Sequence, residues 1–365
     1  MTEQSAPALK EIFNLERLQH IATQMSAVYP AFDANGFLEH AKRDLAALSV
    51  MQRMARVSES LHAVIPLDYP QTLRHLYALA PRLNSGFVSL FLPHYVAHYG
   101  LDDFERSMAA LKYFTTFGSA EFAIRHFLLK DFDRTLAVMQ QWSQDDNEHV
   151  RRLASEGSRP RLPWSFRLAR VQTDPGLCAS ILDNLKADSS LYVRKSVANH
   201  LNDITKDHPD WVLDLLEGWS LDNPHTAWIV RHALRSLIKQ GNTRALTILG
   251  AGARAEVRIH QFRVEPRVIR LGERINLSFT LESVAATPQK LVVDYAIDYV
   301  KSAGHSAAKV FKLKAFTLEA GAQHPIRRTQ HIRDMTTRRH YPGTHTVHVL
   351  VNGERIGSAD FELSN

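Results

Sequence analysis

The densest run of chemically capable side chains is residues 149–164, HVRRLASEGSRPRLPW. On a helix, Arg152 and Glu156 stand four apart and project from one face. Gly157 then ends the helix, and SRPRLPW places Arg159, Arg161 and Trp164 on a loop stiffened by two prolines. A carboxylate, several guanidiniums and an indole are thereby gathered at one helix end. Such a set can hold an anionic backbone and stabilise positive charge. The same residues also read as a solvated i,i+4 ion pair, with the tryptophan packed on the next element.

Two further acids, Glu121 and Asp203, fall on helical segments. Glu121 can act on substrate or simply balance the first turn of its helix. Asp203 can do likewise or cap the turn that follows it. Arg194 and Lys195 lie on the helix that ends at Asp203. The motifs GxSxG, P-loop, GxGxxG after a strand and HExxH are all missing from the sequence. His94 and His98 have helical spacing for a shared metal, but no third ligand is in view, so no metal site is assigned. Cys178 is the single cysteine. It excludes an intramolecular disulfide, fits a reducing cytoplasm, and reads as a small buried apolar residue.

The elements that must position these residues are helical up to about residue 250. Apolar side chains recur at helical spacing over residues 9–29, 32–48 (with Asp33 as N-cap), 51–65, 69–79 and 87–99. A looser repeat follows. Segments opening EFAIRHFLL, HVRRLASEG, YVRKSVANHL and IVRHALRSL share an aliphatic residue, an arginine and an apolar face. Their arginines are Arg125, Arg151, Arg194 and Arg231. Partner helices are expected near residues 132–142, 175–185 and 209–219. Two-helix units of this length are the mark of HEAT-type repeats, which stack into a curved superhelix.

From Val257 the period changes to two. Seven short alternating segments, from VRIHQFRVEP to RIGSADFELS, predict an antiparallel sandwich of immunoglobulin-like type. The expected organisation is therefore multidomain: an all-α repeat superhelix over residues 1–252, then an all-β immunoglobulin-like sandwich over 255–365. Net charge is +6, and residues 255–365 carry 16 Lys+Arg against 11 Asp+Glu, leaving 28 against 27 in the rest. The basic excess thus falls in the β region, and an anionic partner fits it as well as an ordinary basic surface does. The best apolar run, residues 86–96, is broken by Pro93 and His94 and is too short to span a bilayer. The amino-terminal residues lack the pattern of a secretory leader, so a cytoplasmic protein without a membrane partner is expected.

Together, HVRRLASEGSRPRLPW, YVRKSVANHLNDITKDHPD and the helical-repeat pattern resemble the AlkC branch of the HEAT-like-repeat DNA alkylation-repair glycosylases, related to the AlkD branch. The likeness covers roughly residues 1–250, and the trailing β region fits the immunoglobulin-like module of some AlkC-type proteins. The resemblance implies hydrolysis of the N-glycosidic bond of cationic methylated bases in duplex DNA: 3-methyladenine, 3-methylcytosine and 1-methyladenine. It implies no cofactor, a monomer, and action without turning the base into a pocket, unlike most glycosylases. A cationic base is already a good leaving group, so the task is to stabilise an oxocarbenium-like sugar and to position water, for which carboxylates are suited.

By that resemblance Glu156 faces the lesion's deoxyribose, with Glu121 and Asp203 as further acids and Trp164 as an aromatic face for sugar or base. Arg159, Arg161, Arg194 and Lys195 are the expected contacts to the DNA backbone. One departure stands out. The AlkD branch has a tryptophan four residues before its acid, where this chain has Arg152, so Arg152 is expected to enter the duplex or clamp a phosphate. Arg151 and Arg231 are read as bonding within their repeats. A non-catalytic HEAT-repeat scaffold is the competing reading. A third reading has the β region itself bind nucleic acid through Arg327, Arg328, Arg338 and Arg339, charges that would equally protect a sheet edge.

Overall fold

The computed structural model describes residues 9–84, 86–251, 255–302, 304–335 and 339–364. After a 3-10 turn at Leu9–Phe13, helices run α1 Leu15–Val28, α2 Ala34–Lys42, α3 Val50–Val64, α4 Tyr69–Leu79, α5 Phe91–Tyr99 and α6 Phe104–Phe114. They continue as α7 Glu121–Lys130, α8 Phe132–Trp142, α9 Glu148–Gly157, α10 Ala169–Thr173, α11 Ala179–Asn184 and α12 Leu191–Ile204. The last four are α13 Pro209–Glu217, α14 Pro224–Ala233, α15 Arg235–Lys239 and α16 Thr243–Ile248. The strands are β1 Val257–Glu265, β2 Val268–Arg270, β3 Arg274–Ser283, β4 Gln289–Val300, β5 Ser306–Leu318, β6 Gln323–His331, β7 Gly343–Val351 and β8 Glu354–Ser364.

Several helix starts follow short polar side chains. Asp33 accepts from the Gly36 amide, as expected, and Ser49 and Asp68 each close a capping box with a glutamine three residues on. The stretch expected as one helix over 32–48 stops at Lys42, because Asp44 turns left-handed (φ 53) before a separate 3-10 turn at Leu45–Ala47. Helix α6 lies in a stretch for which no helix was expected. Its apolar residues Met108, Ala110, Leu111 and Phe114 are buried.

The chain divides into two compact units, residues 1–208 with 220–232, and residues 209–219 with 233–365. In the first, α3, α5, α7, α9 and α12 each pack on the next, with α4, α6, α8 and α11 alongside them. That two-row stacking of helix pairs is the repeat architecture the sequence period predicts. The second unit holds α13, α15 and α16 together with the strands. Arg244 of α16 bridges to Glu217 at 2.6 Å and also pairs with Asp214. Gly241 and Gly353, both at positive φ, come so close that a Cβ on Gly353 would lie 2.6 Å from the Gly241 Cα. The change from helix, last seen in α16, to strand, first seen in β1, therefore does not coincide with the division into compact units.

The strands form two sheets, β1-β3-β6 and β2-β8-β7-β4-β5. Among the described strands the pairings are antiparallel except that of the short β2 with β8, β2 being a strand that the alternation did not announce. Inward side chains from both sheets, such as Ile275 and Leu277 from one and Tyr295, Ile297, Val347 and Phe361 from the other, form one apolar layer. Asn352-Gly353, both at positive φ, makes the tight turn joining β7 to β8. This is the immunoglobulin-like sandwich expected from the sequence.

Candidate active site

Helix α9 presents Arg152 and Glu156 from one face, and it lies between α7 and α12. Its close approach to α7 requires Gly157, since a Cβ there would stand 2.5 Å from the Ile124 Cγ2. Glu121 sits in the first turn of α7. On α12, Tyr192, Ser196 and Asp203 recur at helical spacing and face α9.

These residues meet in one hydrogen-bonded network. The Arg152 Nη1 donates to the Ser119 Oγ at 2.6 Å and to the Glu121 carboxylate, while its Nη2 lies 3.5 Å from the Glu156 Oε1. The Arg159 Nη1 donates to that same Glu156 oxygen at 2.6 Å. The Arg159 Nε and Nη2 reach the Asp203 Oδ2 at 2.8 and 2.7 Å. The second Glu156 oxygen accepts from the Ser196 hydroxyl at 2.6 Å, and Lys206 adds a bond to Asp203 at 3.1 Å. Three carboxylates are thus linked by two guanidiniums. The Arg152 guanidinium also lies 5.0 Å from the Tyr192 ring centroid.

Burial sets the electrostatics. It raises the Glu121 pKa above the usual carboxylate range, against the opposing pull of Arg152. Burial alone would lower the pKa of Arg152, but Glu121 and Glu156 hold it above its ordinary value. Burial likewise raises Tyr192. Behind the network, the fully buried His200 is pushed down to about 3 by burial and then by the Arg159 charge.

The network opens on a cleft of about 480 Å³ whose lining includes Glu121, Arg152, Glu156, Trp164 and Tyr192. Trp164 stands at its rim, 64% exposed, with a left-handed backbone (φ 64). A bulky residue in that conformation is a costly exception that surrounding structure must enforce. The cleft therefore joins aromatic walls to acids that can steady a developing cation.

Of the five residues expected at the site, Glu156, Glu121, Trp164 and Arg152 line the cleft, and Asp203 does not. Asp203 joins them through Arg159. The expected backbone contacts distribute differently. Arg159 is only 6% exposed and points its donors inward at two acids. Arg161 pairs with Asp207 at 2.9 and 2.6 Å on the surface. Arg194 bonds the Asp188 and Ser189 carbonyls and stacks 5.7 Å from the Trp228 ring. Lys195 is exposed. Arg151 bonds within the repeats, to Asp188 at 2.6 Å and to the Asp145 carbonyl at 2.9 Å. Sequence reasoning missed Ser119, Tyr192 and Ser196. The spacing 192, 196, 203 on one helix face carried that signal.

Elsewhere, the His94 and His98 rings stack at 4.0 Å. Among the described residues no group of three His, Cys, Asp or Glu side chains is placed to hold a metal. Among the described residues no helix is long and apolar enough to cross a membrane.

The repeat-built helical unit with its acid-lined cleft and the immunoglobulin-like sandwich each match a known family. Residues 97–237 match the family described as DNA alkylation repair enzyme, and residues 258–365 match the C-terminal Ig-like domain described for the uncharacterised protein YhaZ. The chain is 41% identical over 356 residues to the uncharacterized protein YhaZ of Bacillus subtilis, covering 97% of this chain and 99% of that protein. It is 85% identical to the Pseudomonas fluorescens alkylpurine DNA glycosylase AlkC, solved bound to DNA containing an abasic site analog. That structure superposes with a TM-score of 0.96 over 98% of this chain and 100% of that one. The chain belongs to the AlkC family of DNA alkylation-repair glycosylases.

Proposed function

We propose that the chain excises cationic methylated bases, namely 3-methyladenine, 3-methylcytosine and 1-methyladenine, from duplex DNA. The observation that carries this reading is the linkage of Glu121, Glu156 and Asp203 through Arg152 and Arg159 beside the exposed indole of Trp164. In the reaction the bond from C1′ to the base nitrogen breaks, and its electron pair neutralises the base. The sugar is left cationic, water adds at C1′, and its proton passes to a carboxylate. Glu156 and Glu121 face the sugar cation, Asp203 supports them through Arg159, one of these acids positions the water, and no cofactor is needed.

Trp164 offers its face to the sugar or the cationic base from the rim of the cleft, which supports excision without base flipping. In this reading Arg152, which holds Glu121 and Glu156 in the free protein, turns to the duplex or to a phosphate when DNA binds. Arg159 acts by ordering two carboxylates. Arg161, Arg194 and Lys195 are the proposed backbone contacts, with Arg327 and Arg328, exposed on β6 at the edge of the three-stranded sheet, as a second phosphate-binding surface. Arg339 is exposed as well, and Arg338 lies outside the described residues. We take the enzyme to act as a monomer in the cytoplasm, where the buried free thiol of Cys178 stays reduced.

The test is release of free methylated base from alkylated duplex DNA. Wild type releases 3-methyladenine and 3-methylcytosine, and Glu156→Gln releases them at least about tenfold more slowly while duplex affinity persists. No release above background by wild type ends the substrate assignment. Unchanged release by Glu156→Gln removes Glu156 from the reaction.

A further inference from the structure

Arg125 takes no direct part in the carboxylate network, yet its side chain is completely buried. Its Nη1 donates to the carbonyls of Gly157 at 3.0 Å and Arg159 at 2.7 Å. Its Nη2 donates to the carbonyl of Phe166, and the guanidinium lies 5.3 Å from the Phe166 ring centroid. Burying a guanidinium is costly unless its donors are satisfied. Here the acceptors for both Nη groups come from both ends of one loop, while the Nε is buried with no hydrogen-bond partner among the described residues. Gly157 closes α9, whose last carbonyls have no partner within the helix, and Phe166 stands on the far side of Trp164.

Toward α9 the loop is also tied by the Ser158 hydroxyl, which donates to the Ala154 carbonyl at 2.7 Å, by the Arg159 and Arg161 ion pairs and by buried Leu162. Toward Phe166 its ties are backbone bonds and the His126–Phe166 ring contact. The Ser165 amide bonds the Leu162 carbonyl at 3.3 Å, and the Leu168 amide bonds the Pro160 carbonyl at 3.2 Å. Trp164 itself is largely exposed, so core packing does not hold its left-handed backbone. Glu121 and Arg125 occupy successive turns of α7. The helix that presents one acid therefore also grips the loop that presents the indole, and it grips the backbone of the arginine that links the other two acids.

We propose that Arg125 is a positioning residue for base excision: it staples residues 157–159 to 166 and so fixes Arg159 and Trp164, as one unit, relative to Glu121. The proposal rests on the reading of this cleft as the reaction centre. A planar fork that meets three carbonyls has no equivalent in lysine, whose ammonium is a single point of donation. A displacement of about 1 Å in a catalytic constellation can cost on the order of a hundredfold in rate.

The experiment uses the full chain and a duplex carrying a methylated base. Arg125→Lys is expected to lower the single-turnover excision rate tenfold or more while changing the duplex Kd by less than about threefold. Combined with Trp164→Ala, its effect is expected to be less than additive, since both act through one loop. A wild-type rate in Arg125→Lys, a loss confined to Kd, or full additivity overturns the proposal. Should the variant not fold, amide hydrogen exchange of the wild type decides. Protection of residues 164–167 approaching that of α7 supports the staple, and exchange at the rate of an open loop overturns it. Glu156→Gln is measured in parallel. If it too excises at the wild-type rate, the reading of the cleft has failed, and not the role of Arg125 within it.

Discussion

The Glu156 carboxylate and the Arg159 guanidinium meet at 2.6 Å, with less than a tenth of either side chain exposed. The pair is not isolated: the same guanidinium reaches Asp203 at 2.7 Å, and the other Glu156 oxygen accepts from Ser196 at 2.6 Å. Both oxygens of Glu156 are thus engaged before any substrate arrives. A carboxylate held this way changes little on reaction, which is the condition for stabilising a transient cation without reorganisation.

Arg159→Ala removes the guanidinium that joins Glu156 to Asp203, and it leaves buried negative charge behind. Breaking such a pair from one side costs about 3–5 kcal/mol. Chemical denaturation of the variant should show a loss in that range. A change under about 1 kcal/mol would mean the two acids find other partners.

Arg152→Met tests how Glu121 is kept ionised. Burial raises the pKa of Glu121 and Arg152 opposes that rise, so its removal lets the pKa climb further. An acid that works as a carboxylate gains activity as pH rises through its pKa. The acidic limb of the rate against pH should therefore move to higher pH in Arg152→Met. An unmoved limb would show that Glu121 does not govern it.

His200 has its folded-state pKa lowered from the ordinary 6.5 to about 3. Between those values the unfolded chain binds the proton and the folded chain does not. Stability is then full above about pH 6.5 and falls as the pH drops, by roughly 1.4 kcal/mol per pH unit from this group. His200→Leu should lose stability less steeply than wild type over pH 6.5 to 4.5. Parallel slopes would show that His200 is not buried neutral.

Arg327 and Arg328 on β6 are exposed. Replacing both with glutamine should weaken duplex binding and flatten the dependence of log K on log salt by about 1.8, or about 0.9 for each phosphate that is no longer neutralised. The single-turnover rate at saturating enzyme should stay the same. An unchanged salt slope would leave these charges as protection for the edge strand alone.

Much of this protein is legible in its sequence because the deciding forces are local. Period 3.6 gives way to period two at Val257, which separates helices from strands. Side chains four apart placed Arg152 and Glu156 on one face from spacing alone, and Asp33 announced a helix start. Helix α6 and strand β2 escaped notice. The first falls within FERSMAALKYF, where buried Ser107 and Ala110 dilute the apolar stripe. The second has only three residues, too few to establish a period.

The partners of the arginines could not be read the same way. Arg159 was expected, from the family resemblance, to contact the DNA backbone. Only the packing of α12 against α9 brings Asp203, 44 residues away, within reach, and that turns the guanidinium inward. Arg125 looked like a repeat arginine, and only the return of the loop to α7 sets three carbonyls around it. The sequence by itself determined the residue types, the helical faces and the two kinds of secondary structure, since each depends on neighbours along the chain. The long-range charge pairs, Arg152 with Glu121 and Arg159 with Asp203, come only from folding, because it brings together groups that sequence distance keeps apart.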